Sequence, residues 1–248
     1  MRIARLLLSV VALIAFTGLA GAANVAKSER NAVIFVANLA QGSNIEQAFY
    51  NTVQFAAVTI AQGALIPNYN HVTTIQGGSA TLAQLHAALK SEANRSGSRA
   101  VDLIFVTHGL SDEVLFSDAQ RSMASVRQAI QNNLTANQRA KLRMVFSTAC
   151  FGKSHRIEWT NAGFKTASGS EGVYADSAIS YPVFLGSWIA GTAFTNAVTN
   201  ANNADPLRVS DNAAKLWFNS QGKPNIAALV NSVRSVRGTG SLKIGTMP

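Results

Sequence analysis

Cysteine is almost absent from this chain of 248 residues, which contains only Cys150. A lone cysteine cannot form an internal disulfide, so the sequence excludes a small scaffold held together by disulfides. Two interpretations of Cys150 remain. The side chain is either a small buried apolar group, or its thiol is kept for chemistry.

Long apolar runs are also scarce, and the clearest one, residues 6–16, lies at the N-terminus. Arg2 and Arg5 flank this run, and Ala20-Gly21-Ala22 forms a small-residue cleavage site after it. The pattern predicts a signal peptide over residues 1–22, with a retained anchor as the alternative. The mature chain, residues 23–248, is then a single exported domain, periplasmic or secreted, with no stable membrane span.

Acidic residues are few, with 12 Asp and Glu against 21 Lys and Arg. Removal of Arg2 and Arg5 with the signal leaves 19 basic and 12 acidic residues, a formal charge of +7. This charge is compatible with contact to acidic envelope components. The basic residues are scattered and no nucleic-acid module is present, so ordinary solubilising charge is favoured and a nucleic-acid partner is not predicted.

Several catalytic motifs are missing from the sequence. It has no G-x-S-x-G elbow, no P-loop and no H-E-x-x-H motif. The spacing of His108, Cys150 and His155 matches no common zinc pattern. We therefore predict neither a metal site nor a cofactor.

What is present is an alternation of short apolar runs and helical patterns. Strands are predicted at 32–37, 71–76, 101–106 and 142–146, and helices begin near Ser43, Thr81 and Ser122. This order predicts an α/β fold, a mostly parallel sheet with helices on both faces.

The later part of the chain has a weaker pattern. Residues 152–180 are rich in Gly, Ser, Thr and Lys and predict a long surface loop around a short strand. Helices are predicted at 184–198 and 225–233, and the tail from Gly238 is expected to fray.

Two predicted strands end in residues that carry chemistry. The strand at 101–106 runs into His108 and Gly109, and the strand at 142–146 runs towards Cys150. Neighbouring parallel strands would bring these residues to one sheet edge. An imidazole that takes the thiol proton makes cysteine a strong nucleophile, and the N–H groups of Gly109 and Cys150 are candidates for an oxyanion hole.

Three longer segments extend this pattern. FVTHGLSDEVLF contains a strand, a His-Gly pair and a hairpin, KLRMVFSTACFGKS contains the second strand and the cysteine, and TASGSEGVYADSAISYPVFLGSW follows. Together they resemble the legumain family of cysteine endopeptidases and transamidases, in the clan that includes caspases and gingipains. The resemblance spans residues 31–195. It implies a caspase-like three-layer α/β/α sandwich, with His108 as base and Cys150 as nucleophile.

The sequence departs from the legumain pattern at the substrate pocket. Thr148 stands where the family has Glu, Ser187 where it has the Asp of Leu-Gly-Asp-Trp, and Ile45 where it has Arg. A buried neutral pocket disfavours a charged group, so we predict a small or neutral P1 residue. The family's histidine is steadied by an Asn or a backbone carbonyl near the first strand, for which Asn38 and Asn44 are candidates.

The sequence thus predicts an exported cysteine endopeptidase or transpeptidase that acts on peptides or proteins through His108 and Cys150. The alternative is a catalytically inactive caspase-fold binding protein of the cell envelope. His155 is a second imidazole near Cys150, but its basic neighbours predict a solvated loop, and it ranks below His108.

Overall fold

The computed structural model describes residues 23–37, residue 39 and residues 44–248, with the side chains of 44–50 outside the description. The strands are β1 (Ala23–Asn24), β2 (Arg30–Ala37), β3 (His71–Gly77), β4 (Ala100–Val106), β5 (Gly109–Leu110), β6 (Glu113–Leu115), β7 (Gln120–Ser122), β8 (Leu142–Ser147), β9 (Thr166–Ser170), β10 (Arg234–Gly238) and β11 (Thr246–Met247). The helices are α1 (Asn44–Leu65), α2 (Leu82–Asn94), α3 (Met123–Asn133), α4 (Ala136–Ala140), α5 (Gly152–Ala162), α6 (Ser177–Ile189), α7 (Phe194–Asn203), α8 (Val209–Ser220) and α9 (Pro224–Ala227). The predicted signal peptide lies outside the described residues.

Six of the described strands form the central sheet, in the order β10-β9-β8-β4-β2-β3. All neighbours are parallel except β10, which runs antiparallel to β9 at the edge. β4 and β8 are buried along their whole length, as expected of apolar strands covered on both faces. The strands predicted at 32–37, 71–76, 101–106 and 142–146 are therefore confirmed.

Helices cover both faces of this sheet and create two apolar cores. On one face α2, α3 and α5 pack against the strands, and on the other face α1, α6 and α7 do so. Thr81 and Ser122 cap α2 and α3 with their side chains, as the sequence predicts. The predicted three-layer α/β/α sandwich is thus confirmed. In the described residues, no helix has the length and apolar character needed to cross a membrane.

Residues 152–180 have more regular structure than the sequence predicts. The predicted short strand is present as β9, but it is buried and lies between α5 and the start of α6 and not within a long surface loop. A Cβ added to Gly169 would lie 2.2 Å from the carbonyl carbon of Gly152. The small residues therefore let α5 lie directly on β9, and the loop prediction is wrong because it takes their abundance as a sign of flexibility.

The helices that follow β9 also differ from the prediction. The helix predicted at 184–198 is two helices, α6 and α7, because the chain turns at Gly191 with a φ of 83°. The helix predicted at 225–233 ends at Ala227, and α8 before it is not predicted.

The C-terminal tail is anchored, which contradicts the prediction that it frays. Leu242 and Ile244 are buried in the core, and β11 pairs with β1. The Nη1 group of Arg143 donates to the carbonyls of Ile244 at 2.6 Å and Thr246 at 3.0 Å. A buried cation in the sheet therefore holds the tail.

The same arginine forms the centre of a buried polar network. Arg143 Nε donates to Asp102 at 3.0 Å, and its Nη2 group also contacts this carboxylate. Tyr69 donates to Asp102 at 2.5 Å and accepts from the Trp188 indole at 2.8 Å. Neighbouring Asp102 and Tyr69 outweigh the effect of burial and raise the pKa of Arg143. This network is fully paired.

Candidate active site

The carboxyl ends of β4 and β8 lie side by side at one edge of the sheet. Phe105 of β4 pairs with Ser147 of β8, and the N–H of Thr148 donates to the Phe105 carbonyl at 2.9 Å. His108 and Cys150 each follow this pair by three residues. The strand register therefore delivers the imidazole and the thiol to the same edge.

The turn after His108 touches the backbone of Cys150. A Cβ added to Gly109 would lie 2.6 Å from the carbonyl oxygen of Cys150 and 2.9 Å from the Ala149 Cβ. Only glycine fits at this position without pushing the two loops apart. The backbone N–H groups predicted for an oxyanion hole, those of Gly109 and Cys150, thus belong to two loops in direct contact.

His108 is held by the chain that follows β2. Its Nε2 lies 3.0 Å from the Leu39 carbonyl oxygen. A carbonyl only accepts hydrogen bonds, so Nε2 carries a proton and donates it to this carbonyl. The Leu39 N–H in turn donates to Gln54 Oε1 at 3.3 Å.

Leu39 is a positioning residue that the sequence does not single out. Asn38 and the side chain of Asn44, the candidates for this role, lie outside the description, so their assignment stays a prediction. A backbone carbonyl has no signature in the sequence, although a carbonyl near the first strand is among the partners that the legumain resemblance implies.

Cys150 lies half-buried in the turn between β8 and α5. The next residue, Phe151, has a left-handed backbone with φ 55° and ψ 22°, which turns the chain sharply into α5. The Cys150 sulfur accepts the N–H of Tyr174 at 3.3 Å. Burial raises the pKa of the Cys150 thiol, and the Tyr174 N–H opposes this rise. The thiol is therefore protonated at neutral pH and needs a base to react.

A buried arginine lies behind the Tyr174 segment. The Arg234 guanidinium carbon is 3.9 Å from the Phe146 ring centroid and 4.8 Å from that of Tyr174. Its Nη2 group donates to the Ser147 carbonyl, but Nε and Nη1 reach no hydrogen-bond acceptor among the described residues. Burial lowers the pKa of Arg234. The sequence does not indicate that Arg234 is buried, since a charged residue in an edge strand is usually exposed.

Three buried carboxyl groups lie next to the same segment. Burial and the charges of Asp205 and Asp211 raise the pKa of Asp176 to about 6. Asp205 accepts two backbone N–H groups at the start of α8, and Asp211 accepts from Ser232. Ser232 Oγ also accepts the Ala175 N–H at 2.8 Å, which ties this group to the chain beside Cys150. The described residues contain no group of three or more His, Cys, Asp or Glu side chains able to hold a metal ion.

The three predicted pocket residues occupy different places. Thr148 is buried at the end of β8, two residues before the thiol. Ser187 lies on α6 and accepts from Asn200 of α7 at 3.2 Å. Ile45 belongs to α1, and its side chain is outside the description. The structure brings Thr148 to the site, and the pocket roles of all three stay predictions.

His155 differs from its predicted environment. It lies on α5 with no exposed surface, and its Nε2 donates to the Leu110 carbonyl at 2.8 Å. The prediction of a solvated loop is wrong because this segment forms the helix α5, on which Lys153 is exposed while His155 is buried. Another histidine, His71 of β3, lies 2.9 Å from the Glu92 carboxylate of α2.

The architecture is similar to that of a solved structure. The crystal structure of caspase-1 from Spodoptera frugiperda aligns over 91% of this chain and 93% of that chain, with a TM-score of 0.56 and 14% identity. The fold is caspase-like.

A second solved structure is a secreted C11 cysteine protease from Bacteroides thetaiotaomicron, in complex with an irreversible peptide inhibitor. It aligns over 74% of this chain and 59% of that chain, with a TM-score of 0.47 and 10% identity. Comparisons with protein-family models and with curated proteins give no match. The match to the caspase-1 structure confirms the caspase-like architecture, while the closer resemblance to legumains stays a prediction.

Proposed function

We propose that this caspase-like protein is an exported cysteine endopeptidase or transpeptidase that uses His108 and Cys150. The observation that carries the proposal is the contact at Gly109, because it joins the turn after the imidazole to the backbone of the nucleophile. The bond from His108 to the Leu39 carbonyl supports it further, since it fixes the orientation of the imidazole that is proposed to act as base.

The chemistry begins with a protonated thiol. The Cys150 sulfur attacks the carbonyl carbon of the scissile amide, and its proton passes to the His108 imidazole. The N–H groups of Gly109 and Cys150 hold the oxygen that becomes negative. As the tetrahedral intermediate collapses, the C–N bond breaks and His108 returns the proton to the leaving amine. Water, or a second amine, then attacks the thioester and releases the thiol.

The substrate preference proposed for this site is a small or neutral P1 residue. Thr148 supports it, because a neutral buried hydroxyl beside the nucleophile gives no counter-charge to a charged side chain. Ser187 and Ile45, neutral where legumains are charged, give further support from the sequence. The variant Arg234→Met tests this point. If the wild type preferred acidic P1 residues and Arg234→Met did not, the Arg234 cation would bind the P1 side chain, which would contradict a neutral pocket.

Profiling against a peptide library tests the proposed activity. We expect cleavage by the mature wild-type chain and a loss of more than about 1000-fold in Cys150→Ala and in His108→Ala, because residues of a catalytic unit act together. Ser220→Ala, at the exposed end of α8, serves as a folded comparison of similar size change. Turnover that survives in Cys150→Ala would refute the proposal.

A second candidate, an inactive binding protein, is favoured by one observation. The N–H groups of Glu171, Gly172 and Val173, next to Cys150, already donate to carbonyls of the chain's own residues 229–233. A peptide adding to this edge would have to displace them. Absence of turnover in both the wild type and Cys150→Ala would favour this role.

Export is proposed from the sequence alone. N-terminal sequencing of the protein from cell fractions tests it, with a mature chain starting at Ala23 expected outside the cytoplasm. An uncleaved N-terminus retained in a membrane fraction would instead indicate an anchor.

A further inference from the structure

His155 contacts the hairpin that carries the proposed oxyanion donor. Its Nε2 donates to the Leu110 carbonyl at 2.8 Å, directly after Gly109. Its Cε1 lies 3.1 Å from the position that a Cβ on Gly109 would occupy. The imidazole therefore packs against the turn as well as bonding to it.

The helix that bears His155 begins next to the nucleophile. α5 starts at Gly152, and His155 lies within its first turns. The preceding residue, Ser154, accepts the N–H of Asp112 at 2.8 Å and donates to the Phe151 carbonyl at 3.0 Å. Asp112 has a left-handed φ of 61° at the tip of this hairpin. Two adjacent side chains of α5 thus hold the β5–β6 hairpin, one near its base and one at its tip.

His155 acts as a fixed neutral donor. It has no exposed surface, and burial lowers the pKa of its imidazole, while the Leu110 carbonyl and the charge of Asp112 oppose this shift. The bond to a carbonyl requires a proton on Nε2. A donor that keeps one tautomer and one position can set the location of the group it holds.

We infer that His155 is a positioning residue for the reaction, which fixes the Gly109 N–H relative to Cys150. This rests on the proposed function. An oxyanion donor must lie within a few tenths of an ångström of its place, so a small shift of the hairpin costs rate while leaving the thiol intact. The prediction from sequence ranks His155 only as a lesser base, and the structure assigns it a different role.

Two variants separate this role from simple packing. His155→Leu keeps much of the volume and removes the donor, whereas His155→Gln places an amide N–H near the position of Nε2. We expect kcat with a cleaved peptide to fall about 100-fold in His155→Leu, with KM changed less than about 3-fold. His155→Gln should recover kcat to within about 10-fold of wild type.

Two further readouts accompany kinetics. Alkylation of Cys150 by iodoacetamide needs no oxyanion hole, so its rate should change less than about 3-fold in His155→Leu. Amide hydrogen exchange in residues 109–115 should speed up in His155→Leu and not in His155→Gln.

The outcomes are distinct. Wild-type kcat in His155→Leu, or equal losses of kcat and of alkylation rate in both variants, would overturn the inference. Absence of turnover in the wild type would refute the proposed peptidase activity instead. In that case unchanged hydrogen exchange of the hairpin in His155→Leu would still overturn the positioning role, and faster exchange would support it.

Discussion

Two arginines buried beside aromatic rings differ in how their charge is compensated. Arg143, near the amino end of β8, has a carboxylate from Asp102 and two backbone carbonyls as partners. Arg234 of β10 lies against the carboxyl end of β8. Its Nη2 group donates to the Ser147 carbonyl and to Ser168 Oγ, and its other two nitrogens have no acceptors among the described residues. Neighbouring charges raise the pKa of the first, and burial lowers the pKa of the second.

This difference in charge compensation distinguishes a structural end of the sheet from the end that carries the candidate site. Fully paired buried charges are costly to break, so the Arg143 network holds the tail and the strands in place. Buried polar groups that lack partners are uncommon in folded proteins and cluster where a molecule acts. The carboxyl edge, with Arg234, Asp176 and the Cys150 thiol, therefore has less complete hydrogen bonding than the Arg143 network. Substitutions there should change the free energy of unfolding less.

The largest effect on stability is expected from Asp102→Asn. It leaves the Arg143 cation buried without its carboxylate, and it should lower the free energy of unfolding by about 3–5 kcal/mol. Asp118→Asn breaks an exposed pair with Arg121, 2.9 Å apart, and should cost less than about 1 kcal/mol. Urea unfolding of both variants gives the comparison. Equal losses of unfolding free energy in the two variants would show that the Arg143 network does not stabilise the fold more than an exposed ion pair does.

A smaller effect, of opposite sign, is expected from Asp176→Asn at neutral pH. The folded pKa of about 6 lies above the unfolded value, so the folded state binds the proton more tightly. Stability from this group is thus present below about pH 4 and is lost as the pH rises through about 6. After allowance for solvation, the loss is about 1–2 kcal/mol.

The measurement is the difference in unfolding free energy between Asp176→Asn and wild type from pH 4 to pH 8. The free energy of unfolding of the variant should increase relative to that of the wild type as the pH rises. Asp118→Asn, scanned in the same way, should show no comparable change. A difference for Asp176→Asn that does not vary with pH would mean that its carboxyl is ionised throughout.

The smallest effect is expected from Arg234→Met. It removes a buried cation with incomplete partners while keeping an apolar chain beside Phe146 and Tyr174. The free energy of unfolding should change by less than about 1 kcal/mol. The matched variant Arg143→Met should lose about 3 kcal/mol or more, because it strands Asp102. A loss in Arg234→Met as large as that in Arg143→Met would remove the contrast between the two ends.

The apolar strands and the two strand-end residues were accessible from the sequence. Buried parallel strands are continuous apolar runs, and His108 and Cys150 follow two of them directly. Parts of the site that depend on backbone groups, such as the Leu39 carbonyl and the Tyr174 N–H, leave no mark on residue type.

Other features were misread for physical reasons. The glycines at 152 and 169 serve close packing of α5 on β9, although glycine abundance usually indicates a loop. His155 and Arg234 are polar residues whose neighbours in the sequence are also mostly polar. Only the tertiary structure shows that both are buried. Burial of single polar side chains depends on contacts between distant segments, which local patterns do not contain.

The central claim is that the Cys150 thiol performs the reaction. Iodoacetamide labelling of the mature chain, followed by peptide mapping and residual turnover of a cleaved peptide, tests it most directly. We predict modification at Cys150 with loss of turnover in proportion to the label, and slower labelling in His108→Ala because the thiol lacks its base. Full turnover by protein completely alkylated at Cys150 would contradict the account.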